Sequence, residues 1–516
     1  MSDLNKNNLP VGWEIDDYAN IVTTISTNGK KVNQKQYEVS GKYPVIDQGK
    51  EDCSGYCNDE EKVIDANFPI LVFGDHTRAV KSINNPFVAG ADGVKVLQPS
   101  GAITPKLLFY FTQYLAISIK DKGYARHYQW VAKELIGIPP ENEQIRIVEK
   151  IEELFSELDK GIESLKTAKA QLAVYRQALL KHAFEGKLTE EWRKDNADKL
   201  ESPEQLLQHI QQEREARYQQ QLEDWKKEVV EWETEGKEGK KPTKPKKHKI
   251  FPSLEDKDID ALPTLPESWQ WIRLGNLING SAQNGIYKPS SDYGQGNYIV
   301  RIDDFYDGSL VKKGGFKRLT LTKEELNTYV LEPNDILVNR VNSIEYLGKC
   351  CEIPELDEPI VFESNIMKFK VLNDFLKGSF LTSYLSSFSG KNRICDNAKH
   401  AVNQASINQT DVGMTPVPIC CINEQNQIAD ILEQKLTVVE HELTNIEINL
   451  KKSDILRQSI LKKAFSGQLV SQDPNDDPAS ELLKKIAIEK AELAEKKKAE
   501  KAAASKAKTA AKKAKI

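Results

Sequence analysis

The chain has 516 residues, with 72 Lys or Arg against 77 Asp or Glu and a formal net charge of −5. No apolar run approaches the roughly 20 residues that a membrane-spanning helix needs, and the start of the chain lacks the apolar core of a secretory signal. Seven Cys are too few for a disulfide framework, and their odd number suits a reducing compartment. We therefore expect a cytoplasmic, multidomain protein without membrane contact.

Residues 1–138 mix short β-rich runs with Gly, Asn and Asp turns and one helical run, Pro105–Ile119, which predicts an α+β domain. Two polar clusters lie in its turns, GDHTR at 74–78 and GYARHYQ at 123–129. Arg and Lys bond phosphates or guanine edges, and His can join them. The candidate DNA-binding residues here are His76, Arg78, Lys81, Arg126 and His127. For each of them, a satisfied surface loop is the alternative, and we expect Asp75 to brace its loop.

Residues 139–188 are expected to hold a long helix. Pro139-Pro140 precede it, Gly186 follows it, and apolar residues recur at alternating steps of four and three between them. This heptad pattern predicts a coiled-coil helix of about 39 residues, roughly 58 Å long at 1.5 Å per residue. The apolar positions are Ile151, Phe155, Leu158, Ile162, Leu165, Leu172 and Leu179.

Residues 189–262 are a charged helical linker that contains three Trp and ends in a Lys/Pro-rich segment. Residues 263–417 again read as an α+β domain, with strands expected at 298–302, 335–339 and 366–371 and a helix at 375–388. Polar clusters follow a strand at 339–343 and a helix at 399–404. Asn and Gln suit adenine, and Arg suits guanine or phosphate. The candidate DNA-binding residues of this domain are Arg301, Arg340, Asn342, Lys399 and His400.

Residues 418–470 repeat the long-helix pattern, and three segments occur twice in the same order. The last two pairs share one offset of 281 residues. We therefore expect a pseudo-twofold repeat in which two dissimilar heads are separated by two helices that pair as an intramolecular antiparallel coiled coil. The alternative is two separate amphipathic helices. The pairs are Leu9–Trp13 with Leu265–Trp269, Asn142–Gln144 with Asn423–Gln425, and Arg176–Leu188 with Arg457–Leu469.

Residues 471–516 form a Lys/Ala-rich tail, and the part from Lys484 onward carries a net charge of +8. We expect a solvated, partly helical end, with an auxiliary DNA contact as the alternative.

Motifs for chemistry are missing from the sequence. It contains no phosphate-binding G-x-x-x-x-G-K-[ST] loop and no glycine fingerprint that follows a strand. Cys53 and Cys57 could supply two zinc ligands, but no second pair lies at finger spacing. We therefore expect no catalytic residue, no metal site and no cofactor in this chain.

The repeat resembles the specificity subunit of type I restriction–modification systems. The resemblance rests on Leu-Pro-x-x-Trp at the start of each head, on FGDHTRAVKSINNPFVAGADGVKVL at 73–97 and on GYARHYQ. It also rests on PNDILVNRVNSIEYLGK at 333–349, on VFESNIMKFKV at 361–371, and on the Ala-Phe-x-Gly-x-Leu pieces that end the helices. It covers residues 9 to about 470, is weaker at 190–262 and departs at the tail.

The resemblance implies a non-catalytic subunit whose two target-recognition domains read the halves of a bipartite, asymmetric DNA site. It implies that the coiled coil sets the unread spacer and binds two methylase subunits, and that restriction subunits join the complex. S-adenosylmethionine, ATP and magnesium are then expected on those partners, and the assembled complex methylates adenine and cuts DNA. A scaffold joining two protein-binding domains and a stand-alone DNA-binding regulator are the alternatives.

Overall fold

The computed structural model describes residues 9–90, 93–119, 123, 125–237, 239–311, 315–402, 404–488 and 491. The described residues divide into two compact units. Unit 1 contains the residues up to Thr167 and those from Ile446 onward, and unit 2 runs from Ala168 to Asn445. The part of the tail beyond these residues lies outside the described chain, as do Lys122, Tyr124 and Asn403 of the polar clusters.

The two long helices span Glu141–Phe184 and Ile422–Phe465, 44 residues each. In unit 1, the start of the first helix packs against the end of the second, with Phe155 and Ile460 in one core. In unit 2, the end of the first packs against the start of the second, with Leu179 and Leu432 in one core. The pairing is antiparallel in each unit, and most of the expected seam positions are buried or half-buried.

The first head contains two four-stranded sheets in unit 1. One has the strand order Val22–Ile25, Val94–Pro99, Ile70–Gly74, Val80–Ile83 and is antiparallel throughout. The other has the order Gly55–Cys57, Tyr43–Ile46, Phe87–Ala89, Val63–Ile64, with its two central strands parallel. The α-helices of this head are Tyr18–Ile21, Pro105–Ser118 and Tyr128–Val131.

The second head is built from more, shorter strands in unit 2. A four-stranded antiparallel sheet has the order Ile278–Asn284, Ile366–Val371, Ile336–Asn339, Cys350–Glu352. A three-stranded sheet has the order Lys317–Leu319, Tyr293–Val300, Ile360–Phe362, the last pair parallel. Smaller sheets join Phe305–Tyr306 to Ser309–Leu310, and Ala405–Ser406 to both Val341–Asn342 and Lys399–His400. The helices are Lys323–Tyr329, Gly378–Ser386, Phe388–Cys395 and Gln409–Met414.

The two heads share a topology although their sequences do not visibly match. Each four-stranded antiparallel sheet has the same strand order. When its strands are numbered along the chain, that order is first, fourth, second, third. In each second sheet, a parallel pair carries an antiparallel neighbour. The expectation of a mixed α and β fold with two heads and two long helices is confirmed.

A joint of the same design connects each head to the start of a long helix. In unit 1, strand Glu14–Asp17 pairs with Leu135–Ile138, which leads into the helix, and Trp13 Nε1 donates to Glu143 Oε2 at 3.0 Å. In unit 2, strand Gln270–Arg273 pairs with Pro416–Ile419, and Trp269 Nε1 donates to Glu424 Oε2 at 2.9 Å. The repeated Trp and Glu of the sequence are therefore the two halves of one buried contact.

The end of each long helix completes a joint. Gly186 and Gly467 adopt left-handed backbone angles, with φ of 71° and 70°, as expected for helix caps. A Cβ on Gly186 would collide with Pro266, and one on Gly467 would collide with Pro10. The first helix thus ends against the opening of the second head within unit 2, and the second ends against the opening of the first head within unit 1.

Helical segments follow both long helices. In unit 2 these are Glu190–Asp195, Pro203–Thr234 and Asp256–Asp260, and Leu206 and Ile210 are buried in the head core. In unit 1, residues 479–488 are helical, Ile486 is buried, and Arg146 forms a two-pronged ion pair with Asp476. The beginning of the expected tail is therefore part of the first head's core. Within the described chain, no helix is long and apolar enough to cross a membrane.

Candidate nucleic-acid interface

The two polar clusters of the first head meet in unit 1. The Asp75 carbonyl oxygen accepts the backbone N–H of His127 at 2.8 Å, and Asp75 Oδ1 accepts the N–H of Tyr128 at 2.9 Å. His76 Nδ1 lies 3.2 Å from the Ala125 oxygen. The expected bracing role of Asp75 is confirmed, and it holds the 74–78 turn against the 125–128 segment.

The cationic candidates of this head differ in exposure. Arg126 is exposed and His76 is half-buried, so both can present polar atoms at the surface. His127 is buried, and its Nδ1 lies 3.0 Å from the Asp75 carbonyl oxygen. The positions of Arg126 and His76 are compatible with DNA contact, which stays a prediction.

Arg78 and Lys81 bond to the backbone of the head. Arg78 has a φ of 61°, and its Nη1 donates to the Ile119 carbonyl at 2.9 Å, just past the helix Pro105–Ser118. Lys81 is buried, and its Nζ donates to the carbonyls of Asp47 and Glu51. Burial lowers the pKa of Lys81. This placement gives both residues a bracing role, and direct DNA contact by them stays a prediction.

The second head also brings its distant clusters together. Strand Ala405–Ser406 lies between Val341–Asn342 and Lys399–His400. Asn342 and His400 both pair with Ala405, so they share one face of this small sheet. Lys399 and His400 are exposed and Asn342 is half-buried. Asn342 and His400, more than 50 positions apart in sequence, thus share one polar face, while Lys399, which pairs with Ser406, lies on the other face.

Arg301 and Arg340 lie nearby in the sheets of the second head. Arg340 follows strand Ile336–Asn339, and its Nη1 donates to the Ser364 carbonyl at 3.0 Å. Arg301 Nε lies 3.5 Å from Glu363 Oε2. Burial raises the pKa of Glu363, and the Arg301 guanidinium opposes that shift. Both arginines are half-buried, so each has exposed area left for a ligand.

The two polar surfaces occupy equivalent places in the shared topology. In each head, one loop follows the second strand of the antiparallel sheet and the other lies after the head's helix and before the second joint strand. The loops carry Arg, His, Lys and Asn in different arrangements. One scaffold with two sets of side chains can therefore offer hydrogen-bonding groups to two different base sequences.

Sequence reasoning missed the residues that support this surface. Gln48 Oε1 accepts the His76 N–H at 3.3 Å, and its carbonyl accepts the Thr77 hydroxyl. A Gln-Gly-Lys turn directly after a β-rich run was the signal available at 48–50. In the described chain, no group of three His, Cys, Asp or Glu is placed to hold a metal ion.

A comparison with known protein families matches both heads to one family. The model of the type I restriction modification DNA specificity domain matches residues 10–167 and 266–450. The chain belongs to this family. The two matches begin at the two joints and each ends within a long helix, so the family domain comprises a head and the first part of its helix.

Relatives in the family are distant. The chain is 25% identical over 372 residues to the type I restriction enzyme EcoKI specificity subunit of Escherichia coli K12, covering 70% of this chain and 65% of that protein. It is 30% identical over 232 residues to the StySPI specificity subunit of Salmonella potsdam, covering 43% and 50%. The EcoDI specificity subunit of Escherichia coli aligns over 507 residues at 22% identity, covering 95% and 98%. The chain thus spans only half to two thirds of the first two relatives.

A solved structure has a related fold. A chain from work on complex assembly and conformational transition of the type I R-M system covers 89% of this chain and 99% of its own, with a TM-score of 0.55 and 17% identity. At this identity the likeness concerns the fold alone.

Proposed function

We propose that this chain is the DNA sequence-specificity subunit of a type I restriction–modification complex, in which each head reads one half of a bipartite, asymmetric site. The observation that carries the proposal is the double match to the specificity family, one match per head. The shared topology supports it, because the same two loops meet in each head while their side chains differ. Half-sites of different sequence follow from that difference.

The long helices would set the distance between the half-sites. Each is an unbroken run of 44 residues, roughly 66 Å long at 1.5 Å per residue. The buried Trp–Glu contacts fix how each head joins its helix. Heads placed about one DNA turn apart, ~34 Å, would meet the same side of the duplex.

Catalysis would be supplied by partner subunits. Two methylase subunits would bind the repeated helices, hold S-adenosylmethionine and flip an adenine out of the duplex, because a stacked base cannot reach a catalytic pocket. Restriction subunits would use ATP and magnesium to cleave DNA. This chain would contribute recognition and geometry, with no cofactor of its own, in the cytoplasm.

The test uses the full chain co-purified with its native methylase. Binding is measured by fluorescence anisotropy on a duplex carrying the motif that methylation mapping defines, and on two duplexes with one half-site scrambled in each. We expect both scrambled duplexes to bind more weakly, with each mismatched base pair costing about 1–3 kcal/mol. Equal binding to all three duplexes would contradict the proposal. Tight specific binding by the isolated chain would instead support a stand-alone regulator.

A further inference from the structure

The charged linker of unit 2 folds back on itself. We call residues 211–250 the arm, which consists of the helix up to Thr234 and the Lys/Pro-rich segment that returns along it. Trp225 Nε1 donates to the Pro242 carbonyl at 3.0 Å. Lys247 Nζ lies 3.0 Å from Glu215 Oε2, and Arg214 Nη2 donates to the Lys249 carbonyl at 3.1 Å. The returning segment is therefore docked on the helix at several points.

Regularly spaced aromatic residues on the helix of the arm contact regularly spaced lysines on its returning segment. Three aromatic residues recur every seven residues on the helix, about 10.5 Å apart. Three lysines recur every three residues on the returning segment, about 9.3 Å apart in a polyproline II conformation. Because the two spacings nearly match, each lysine ammonium reaches one ring. The pairs are Lys241 over Trp232 at 5.9 Å, Lys244 over Trp225 at 6.0 Å and Lys247 over Tyr218 at 5.9 Å.

The same three-residue period separates the faces of the returning segment. Pro242, Pro245 and His248 are half-buried, while the residues between them are exposed. A three-residue repeat places every third residue on one face. Another face therefore carries an exposed row, which we call the outer face. It consists of Lys240, Thr243, Lys246 and Lys249.

The base of the arm is fixed to the second head. Arg214 Nη1 donates to the Asn276 carbonyl at 2.9 Å. The backbone N–H of Phe251 donates to Asn276 Oδ1 at 2.9 Å, and Asn276 Nδ2 donates back to the Phe251 carbonyl at 3.1 Å. Phe251 itself is buried. The backbone that carries the outer face is thus hydrogen-bonded to the second head at its base.

We propose that the outer face of the arm binds the sugar–phosphate backbone of double-stranded DNA beside the second half-site, without reading bases. The proposal rests on the proposed function, which places DNA at this head. Three exposed lysines on one face complement a charged polyanion, and the hydrogen bonds that hold their backbone reduce the entropy lost on binding. On a chain with a net charge of −5, such a local basic row supplies attraction that the overall charge does not.

The test compares three variants of the full chain in complex with its native methylase. The first, Lys240→Gln/Lys246→Gln/Lys249→Gln, removes the charges of the outer face. The matched control, Lys181→Gln/Lys194→Gln/Lys199→Gln, removes three charges from exposed helical positions of unit 2 outside the arm. The third, Trp225→Ala, keeps every lysine but removes the central ring and its bond to Pro242. Affinity for a duplex carrying the mapped motif is measured over a range of salt concentrations.

We expect the outer-face variant to reduce the slope of log affinity against log salt by about 2–3 while the methylated motif stays the same. The control should retain the wild-type slope, and Trp225→Ala should weaken binding although its charge is unchanged. A wild-type slope in the outer-face variant, or full affinity in Trp225→Ala, would overturn the proposal. Loss of co-purifying methylase at an unchanged slope would assign the arm to an acidic protein surface instead. A wild-type complex that prefers no bipartite motif would be a failure of the proposed function, visible before any variant is compared.

Discussion

The two buried glutamates of the joints predict unequal responses to the same substitution. In unit 2, Glu424 Oε1 accepts the Thr189 hydroxyl at 2.7 Å and pairs with Arg193 Nη1 at 2.5 Å. In unit 1, the equivalent Glu143 is also buried, but its Oε1 has no hydrogen-bond partner among the described residues. Val470 stands at the position equivalent to Thr189. One glutamate is thus fully paired, whereas the other is a buried carboxylate held by the Trp13 indole.

Glu424→Gln should destabilise unit 2 by about 3 kcal/mol, because it leaves the largely buried Arg193 without its counter-charge. Glu143→Gln should change the stability of unit 1 by less than about 1 kcal/mol, because the amide oxygen still accepts from Trp13 and a buried charge is removed. Native-state hydrogen exchange of the full chain resolves the two units. We expect about 100-fold faster exchange in the second head for Glu424→Gln.

The pH dependence of Glu143 gives an independent check. Burial raises the pKa of Glu143 above its ordinary value of 4.5, although Trp13 and Arg146 oppose the shift. The folded state therefore binds this proton more tightly than the unfolded state does. Its contribution to stability is present below the unfolded pKa and is lost as pH rises through the folded pKa. Glu143→Gln should remove this part of the pH dependence. Equal destabilisation by the two substitutions at pH 7 would refute the reasoning.

Three further predictions concern recognition, spacing and the tail. Arg126→Ala should weaken binding by the methylase complex and relax one half-site only, and methylation mapping would contradict this if the motif were unchanged. Inserting four residues after Thr167 and four after Asn445 should lengthen the unread spacer, since four helical residues add about 6 Å; a change within a half-site at fixed spacer would argue against the helices as a ruler. Truncation after Val470 removes the ion pair of Arg146 with the tail and the packing of Ile486. It should therefore accelerate hydrogen exchange in the first head, and wild-type exchange rates would contradict that role.

The periodic features of the fold could be predicted from the sequence. The heptad seam, Pro139-Pro140 and Gly186 marked the first long helix, and the internal repeat marked the second. Each runs to 44 residues and not about 39. The extra length comes from segments such as Leu179–Phe184, whose buried face turns towards a head as well as towards the partner helix. A strict heptad count stops where the packing partner changes.

The common topology of the heads could not be predicted. Strand order depends on contacts between residues far apart in sequence, and a core can be filled by many different apolar side chains of similar volume. Ile70–Gly74 and Ile336–Asn339 occupy the same place in their sheets, but the Ile-Leu-Val run that they share is too short and too common among strands to reveal it. The candidate loops were found because polar clusters follow those strands. Which side chains turn inward, as those of Lys81 and His127 do, depends on the carbonyls that surround them.

The fold of the arm also could not be predicted from its sequence, although its contacting residues lie close together in the chain. The Lys/Pro composition of 237–249 suggested only a linker, because each residue taken alone favours solvent. Its fold depends on the match between aromatic residues spaced by seven on the helix and lysines spaced by three on the returning segment. Neither spacing alone predicts the contact. The repeated Leu-Leu-x-x-Ile of 206–210 and 482–486 was a further available signal, and it would have placed the start of the tail in the first head.

The central claim is that this chain chooses the DNA sequence on which a methylase acts. The most direct test is genome-wide mapping of adenine methylation with the gene present and deleted, beside an intact, expressed methylase. We expect methylation at a bipartite motif with two unequal halves and a fixed spacer, and we expect this methylation to disappear when the gene is deleted. Identical methylation in the two genomes would contradict it.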